Sequence, residues 1–170
     1  MKSNKNLVFL GMMGSGKSSI GKLVSKKLNA PFIDIDSLIV ENTQMSISEI
    51  FEKKGEDYFR NLEEKITLKC LKKIKNVISL GGGGFINAKI RKEILSNHFS
   101  FWLNWDESIL LKRIRNSKKR PLVFKSTSQE IRSIIKNRSK IYSNAQFKIN
   151  CNNLTKTEIV KKIIKIYEPN

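Results

Sequence analysis

A chain of 170 residues suits one well-packed domain, over 1–170, and is too short for two ordinary ones. No apolar stretch approaches the roughly 18 residues of a membrane span, and the first strand begins within seven residues, which predicts a cytoplasmic protein without a signal peptide. The 33 Lys+Arg against 15 Asp+Glu, net +18, raise nucleic-acid binding as a function; the lysines, however, are scattered over most helical patterns, as at Lys72, Lys73, Lys75, Lys161, Lys162 and Lys165, with no single stripe interleaved with exposed aromatics.

The first apolar run, Leu7-Val8-Phe9-Leu10, reads as a strand and passes directly into Gly11-Met12-Met13-Gly14-Ser15-Gly16-Lys17-Ser18, a match to G-x-x-x-x-G-K-S. A strand that breaks into a glycine loop and then a helix aims several backbone N–H groups, and the helix N-terminus, at one point that suits a polyphosphate. Lys17 can reach the terminal phosphates and the Ser18 hydroxyl can ligate magnesium. A chance match in a glycine-rich turn is the plainer alternative; the order strand, loop, helix argues against it, because Ile20, Leu23, Val24 and Leu28 then recur as a helical stripe.

A second strand, Phe32 to Ile35, delivers Asp34-Ile35-Asp36 at its carboxyl end, two carboxylates that leave the same face of an extended segment. In a phosphate-binding protein one of them serves magnesium beside Ser18, and the other receives or orients the proton of an attacking hydroxyl; Asp36 as a plain helix cap near Ser37 is the alternative. Ser46-x-x-Glu49 is a capping box for a short helix that stops at Gly55. A longer helix from about Glu56 to Lys75 follows, with Phe59, Leu62, Ile66, Cys70 and Ile74 as its buried stripe, ended by Asn76. On it Glu63 lies three residues from Arg60, within reach of its guanidinium.

The third strand, Val77 to Leu80, ends in Gly81-Gly82-Gly83-Gly84, which predicts a loop whose backbone approaches a ligand closely, with a flexible linker as the alternative. His98 ends a helical segment and has no partner of metal-ligand type nearby, so it takes no functional role. A fourth strand, Phe99 to Leu103, leads to Arg113-Ile114-Arg115-Asn116-Ser117-Lys118-Lys119-Arg120-Pro121, a charge run placed where a lid over phosphates would lie. Ser126 or Ser128 then caps a helix through Ile131, Ile134 and Ile135 toward Tyr142, and Phe147 to Asn150 is a fifth strand. Cys70 and Cys151 match no metal-ligand spacing and read as reduced, packed thiols. Alternating strands and helices imply an α/β sandwich with a parallel sheet.

The phosphate loop, Asp34-x-Asp36, Phe59-Arg60-x-x-Glu63, the glycine run from Gly81, Arg120-Pro121-Leu122 and Arg138-x-x-x-Tyr142 occur in the order and spacing of the shikimate kinases, which the chain resembles over essentially its whole length. The resemblance implies a three-layer P-loop kinase fold with a five-stranded parallel sheet of order 2-3-1-4-5, a substrate-binding segment at about 35–63 and a lid at about 114–127. It implies magnesium ATP and shikimate as the ligands of a monomer that binds neither specific nucleic acid nor membrane. By it Asp36, Arg60, Gly81, Gly82, Gly83 and Arg138 bind shikimate, the two arginines on its carboxylate and Asp36 as base or orienter of the C3 hydroxyl. Gly14, Ser15, Gly16, Lys17, Ser18 and Ser19 hold the phosphates, Ser18 and Asp34 serve the metal, and Lys17 and Arg120 neutralise the transferring phosphoryl group. Arg113 lies against adenine, although the loop Cys151-Asn152-Asn153-Leu154-Thr155-Lys156 offers no proline or arginine on its other side. Ser79 stands where other phosphate-loop proteins carry an acid, as in the shikimate kinases, so Asp34 supplies that charge. A kinase for another small molecule such as gluconate would share the phosphate loop and lack the pair Arg60 and Arg138.

Overall fold

The computed structural model describes residues 4–115 and 126–168. Five strands, β1 (Leu7–Leu10), β2 (Phe32–Asp34), β3 (Val77–Ser79), β4 (Phe99–Asn104) and β5 (Phe147–Asn150), form one sheet of order β2-β3-β1-β4-β5. All neighbouring pairs are parallel, with Leu7 opposite both Val77 and Phe99. The order reverses direction at β1, the switch point beyond which an open parallel sheet takes its ligands.

The helices cover both faces, because side chains alternate along each central strand. Leu7 and Phe9 face one core with Ile20 and Val24 of α1 (Lys17–Leu28) and Ile159, Val160 and Ile163 of α7 (Lys156–Tyr167). Val8 and Leu10 face the other, against α2 (Ile35–Thr43), α3 (Ile47–Leu71), α4 (Ala88–Asn97), α5 (Glu107–Arg115) and α6 (Ser128–Tyr142). This is the three-layer arrangement expected from the sequence.

Several boundaries differ from the sequence reading. The second strand ends at Asp34, one residue early, because its carboxylate accepts from the Ser37 N–H at 3.1 Å and turns the chain into α2. Asp34 and Asp36 therefore do not share a face of an extended segment: Asp34 caps a helix and Asp36 sits in its first turn. Gly55 does interrupt α3, at φ 84° and ψ 170°, a conformation only glycine adopts without strain. The helix beyond it stops at Leu71, so Ile74 is 56% exposed and not part of the buried stripe; Leu23 of α1 is likewise exposed. The cap of α6 is Thr127, between the two serines, because only its hydroxyl completes a reciprocal box with Glu130.

At the amino ends of the strands lies a buried polar junction. The Asn6 side chain donates to Leu71 O at 3.2 Å and Lys73 O at 2.6 Å and accepts from the Asn76 N–H at 2.9 Å, while its own N–H donates to Nδ1 of His98 at 3.4 Å. His98 is thus a buried part of the scaffold. Burial pushes its pKa below the ordinary value, with Glu93 opposing and Lys5 reinforcing the shift. A histidine that titrates lower when folded binds fewer protons than it does unfolded, so its neutral form supports the fold above its unfolded pKa and that support is lost as pH falls. Urea unfolding of wild type should show stability falling from pH 7 to pH 5, and His98→Asn should flatten that slope.

Candidate active site

The sheet's switch point and the phosphate loop coincide. β1 ends at Leu10 and α1 starts at Lys17, with Gly16 as its N-cap at φ 88°, in the left-handed region. The Ser15 N–H donates to Met12 O at 3.1 Å and closes the loop on itself. Lys17 is 8% exposed and its ammonium donates to Gly11 O at 2.9 Å and Met12 O at 3.0 Å, so the charge is drawn over the loop's mouth. A cavity of about 970 Å³ opens there, lined by Gly14, Gly16, Lys17, Ser18 and Ser19 on one side and Asp34, Asp36 and Ser37 on the other.

Both acids reach that cavity by a different route from the one expected. The Ser18 hydroxyl donates to Asp34 Oδ2 at 2.5 Å, which joins the start of α1 to the end of β2. A hydroxyl and a carboxylate side by side are hard oxygen donors, the kind magnesium takes. Among the described residues no group of three or more His, Cys, Asp or Glu could hold a metal ion. One hydroxyl and one carboxylate fit an ion that completes its shell with waters and substrate phosphates.

The glycine run builds the far wall. A Cβ placed on Gly81 would overlap Glu63 Oε1 and stand 2.6 Å from Asp36 Oδ1; one on Gly83 would stand 2.9 Å from Arg60 Cζ. Real side chains do not tolerate such distances, so Gly81 and Gly83 admit these groups by having none. Glu63, 2% exposed, accepts from Arg60 Nη1 at 2.8 Å, and Glu56 takes Nε at 3.1 Å and Nη2 at 3.0 Å. Burial disfavours the Arg60 charge, but Glu63 and Glu56 outweigh it and raise the guanidinium above its ordinary value. On the next peptide, Gly82 O accepts from Arg138 Nη1 at 3.1 Å and from the Tyr142 hydroxyl at 2.5 Å. Tyr142 is buried and its hydroxyl lies 3.9 Å from Met12 Sδ, so α6 connects the glycine run with the phosphate loop. Arg60 and Arg138, 78 positions apart in sequence, thus meet one stretch of three glycines.

At the other rim the Arg113 guanidinium lies 3.7 Å over the Trp105 ring, with Nη1 3.4 Å from Gly14 O, and Trp105 Nε1 donates to Ser15 O at 2.9 Å. Trp105 is absent from the sequence reading; the signal was an aromatic one residue past a strand's carboxyl end, eight residues before Arg113. Asn152 pairs with Asp106, accepting from its N–H at 2.9 Å and donating to its carboxylate at 2.6 Å. Cys151 is buried and its thiol is pushed up to about 12 by burial; Cys70 is raised for the same reason, so both are packed thiols as expected. Arg120, Pro121, Leu122 and most of the 114–127 segment lie outside the described residues. At its edges Ile114 is buried and Arg115 donates to Ser128 Oγ at 2.7 Å.

A phosphate loop at the switch point of a 2-3-1-4-5 parallel sheet, with two acids facing it and two arginines on the glycine run beyond β3, defines a P-loop kinase. Comparison narrows the class. The family model described as shikimate kinase matches residues 13–168, and the shikimate kinase of Thermodesulfovibrio yellowstonii is 38% identical over 165 residues, 96% of this chain and 95% of that protein. Two solved structures align closely: shikimate kinase from Acinetobacter baumannii in complex with shikimate, at 27% identity and TM-score 0.91 over 97% of this chain and 93% of that one. The other is shikimate kinase from Aquifex aeolicus, at 37% identity and TM-score 0.87 over 97% of each. The chain belongs to the shikimate kinase family.

Tyr142→Phe keeps the buried ring and removes one of the two donors on Gly82 O; urea unfolding should show a loss of roughly 1–2 kcal/mol.

Proposed function

We infer that this protein transfers the γ-phosphoryl group of ATP to the 3-hydroxyl of shikimate, giving shikimate 3-phosphate and ADP. Membership of the shikimate kinase family supports the reaction, and one observation carries the residue assignment: Asp36 shares the cavity of Lys17 while touching the glycine run that also meets Arg60 and Arg138. The preference over a gluconate kinase rests on the same family match and on that arginine pair.

In this reading the loop from Gly14 to Ser19 holds the triphosphate by backbone N–H groups and the Lys17 ammonium. Shikimate lies against Gly81, Gly82 and Gly83, its carboxylate between Arg60 and Arg138, whose planar forks each supply two parallel donors. Asp36 accepts from the 3-hydroxyl and takes its proton as the oxygen bonds to the γ-phosphorus and the bond to the ADP oxygen breaks. Charge on the equatorial oxygens is stabilised mainly by fixed cations, because such a transition state offers the protein little covalent work. Lys17 supplies one of these, and Arg120 is assigned another on the resemblance alone. Magnesium held by the Ser18 hydroxyl, and through water by Asp34, would neutralise phosphate charge. Arg113 is assigned to the adenine.

The wider reading is of one domain over 1–170, acting as a monomer in the cytoplasm, where ATP is available and free thiols such as Cys70 and Cys151 persist. Among the described residues no helix is long and apolar enough to cross a membrane.

Arg60→Lys and Arg138→Lys should each raise KM for shikimate by at least about tenfold with a smaller change in kcat, since a bidentate contact is lost and the chemistry is untouched. ADP release should require shikimate and stop when EDTA removes magnesium. Release that proceeds equally without shikimate would reject the acceptor, and equal losses for an acceptor lacking the carboxylate would reject the clamp.

A further inference from the structure

The indole of Trp105 has no place in the reaction described above, yet it makes two contacts to groups that do. Its ring lies under the Arg113 guanidinium, whose Cζ stands 3.7 Å from the ring centroid, within cation–π range, and its N–H donates to Ser15 O at 2.9 Å. Arg113 is tied to the same loop, through Nη1 to Gly14 O at 3.4 Å and through its Cβ, which would lie 3.3 Å from a Cβ on Gly14. Both side chains are half-buried. The phosphate loop, the indole and the guanidinium thus form a bracket in which a flexible arginine has one face covered and its long stem anchored.

A half-exposed arginine ordinarily samples many rotamers, and ordering it on binding costs conformational entropy. A cation over an aromatic face, held in turn by a backbone hydrogen bond, restricts it before ligand arrives. A guanidinium has two faces, and the one turned from the indole is where a second flat π-system would stack. We propose that Trp105 is a positioning residue for nucleotide binding, holding Arg113 as a preformed platform so that the nucleobase stacks on the opposite face in the order indole, guanidinium, base. The inference rests on the assignment of Arg113 to the adenine. It also bears on the 151–156 loop: a platform ordered from behind lessens the need for a stacking residue there.

The two contacts of Trp105 can be separated. Trp105→Phe keeps a ring under Arg113 and deletes the donor to Ser15 O; Trp105→Gln deletes the ring and keeps an N–H. With ADP as the titrant in calorimetry, Trp105→Gln should weaken binding about fivefold, the size of one partly exposed cation–π contact, and Trp105→Phe should stay within about twofold of wild type. Shikimate affinity should be unchanged in both, which a general structural loss would not leave so. Arg113→Ala should weaken ADP at least as much as Trp105→Gln, and adding Trp105→Gln to it should cost nothing further, because the indole acts through the guanidinium. Losses that follow the Ser15 donor instead of the ring, or that add fully in the double variant, overturn the proposal while leaving Arg113 at the base. An Arg113→Ala variant that binds ADP like wild type overturns both.

Discussion

At the carboxyl end of β3 the main chain passes two acids and the Arg60 guanidinium at distances that a side chain on the backbone would forbid. Gly81 is pressed by Asp36 and Glu63, Gly83 by the Arg60 guanidinium, and the peptide between them is gripped by Arg138 and Tyr142. Five groups from α2, α3 and α6 converge on three residues, three of them because Gly81 and Gly83 have no side chains and two through the Gly82 carbonyl. The convergence places opposite charges side by side: buried Glu63 holds Arg60 in position, and the guanidinium in turn compensates a carboxylate that burial would otherwise penalise.

The nucleotide side depends on the same elements. Ser18 and Asp34 tie the first turn of α1 to the cap of α2, so the residue two positions beyond Asp34 is set over the phosphate loop. Met12 touches the tyrosine that holds Gly82, and Leu10, Leu80 and Tyr142 share one core. Donor and acceptor regions are therefore coupled through packed side chains and not through loops alone. The buried Asn6 junction fixes the opposite ends of β1, β3 and β4, leaving the carboxyl ends to carry the chemistry.

Most of this was legible in the sequence because it is governed by local rules. Short apolar runs located the five strands and a 3.6-residue period the principal helices, and the phosphate loop and the Ser46 box were readable from residue type at fixed spacing. The sheet order was implied by family resemblance, not by pattern, since strand adjacency is a long-range choice. What escaped was decided by competition over a few residues. Asp34 could extend a strand or cap a helix, and the cap took it because its carboxylate accepts the backbone N–H three residues on, that of Ser37. Ser126 and Ser128 were the expected caps for α6, and Thr127 between them took the role because Glu130 stands at the distance a reciprocal box needs. Trp105 drew no reading, because nothing in its neighbours announced that an arginine two turns along α5 would fold back on it.

The central claim is that a bare backbone at β3's end lets Asp36, Glu63 and Arg60 form an acceptor site beside the nucleotide loop. Titration calorimetry of Gly81→Ala with shikimate and with ADP tests it directly, because the added methyl would collide with Asp36 and Glu63 and leave residues 14–19 alone. The account predicts that shikimate affinity falls by at least about tenfold, a loss of roughly 1.4 kcal/mol, while ADP binds within about twofold of wild type. Unaltered shikimate binding, or an equal loss for both ligands, would contradict it.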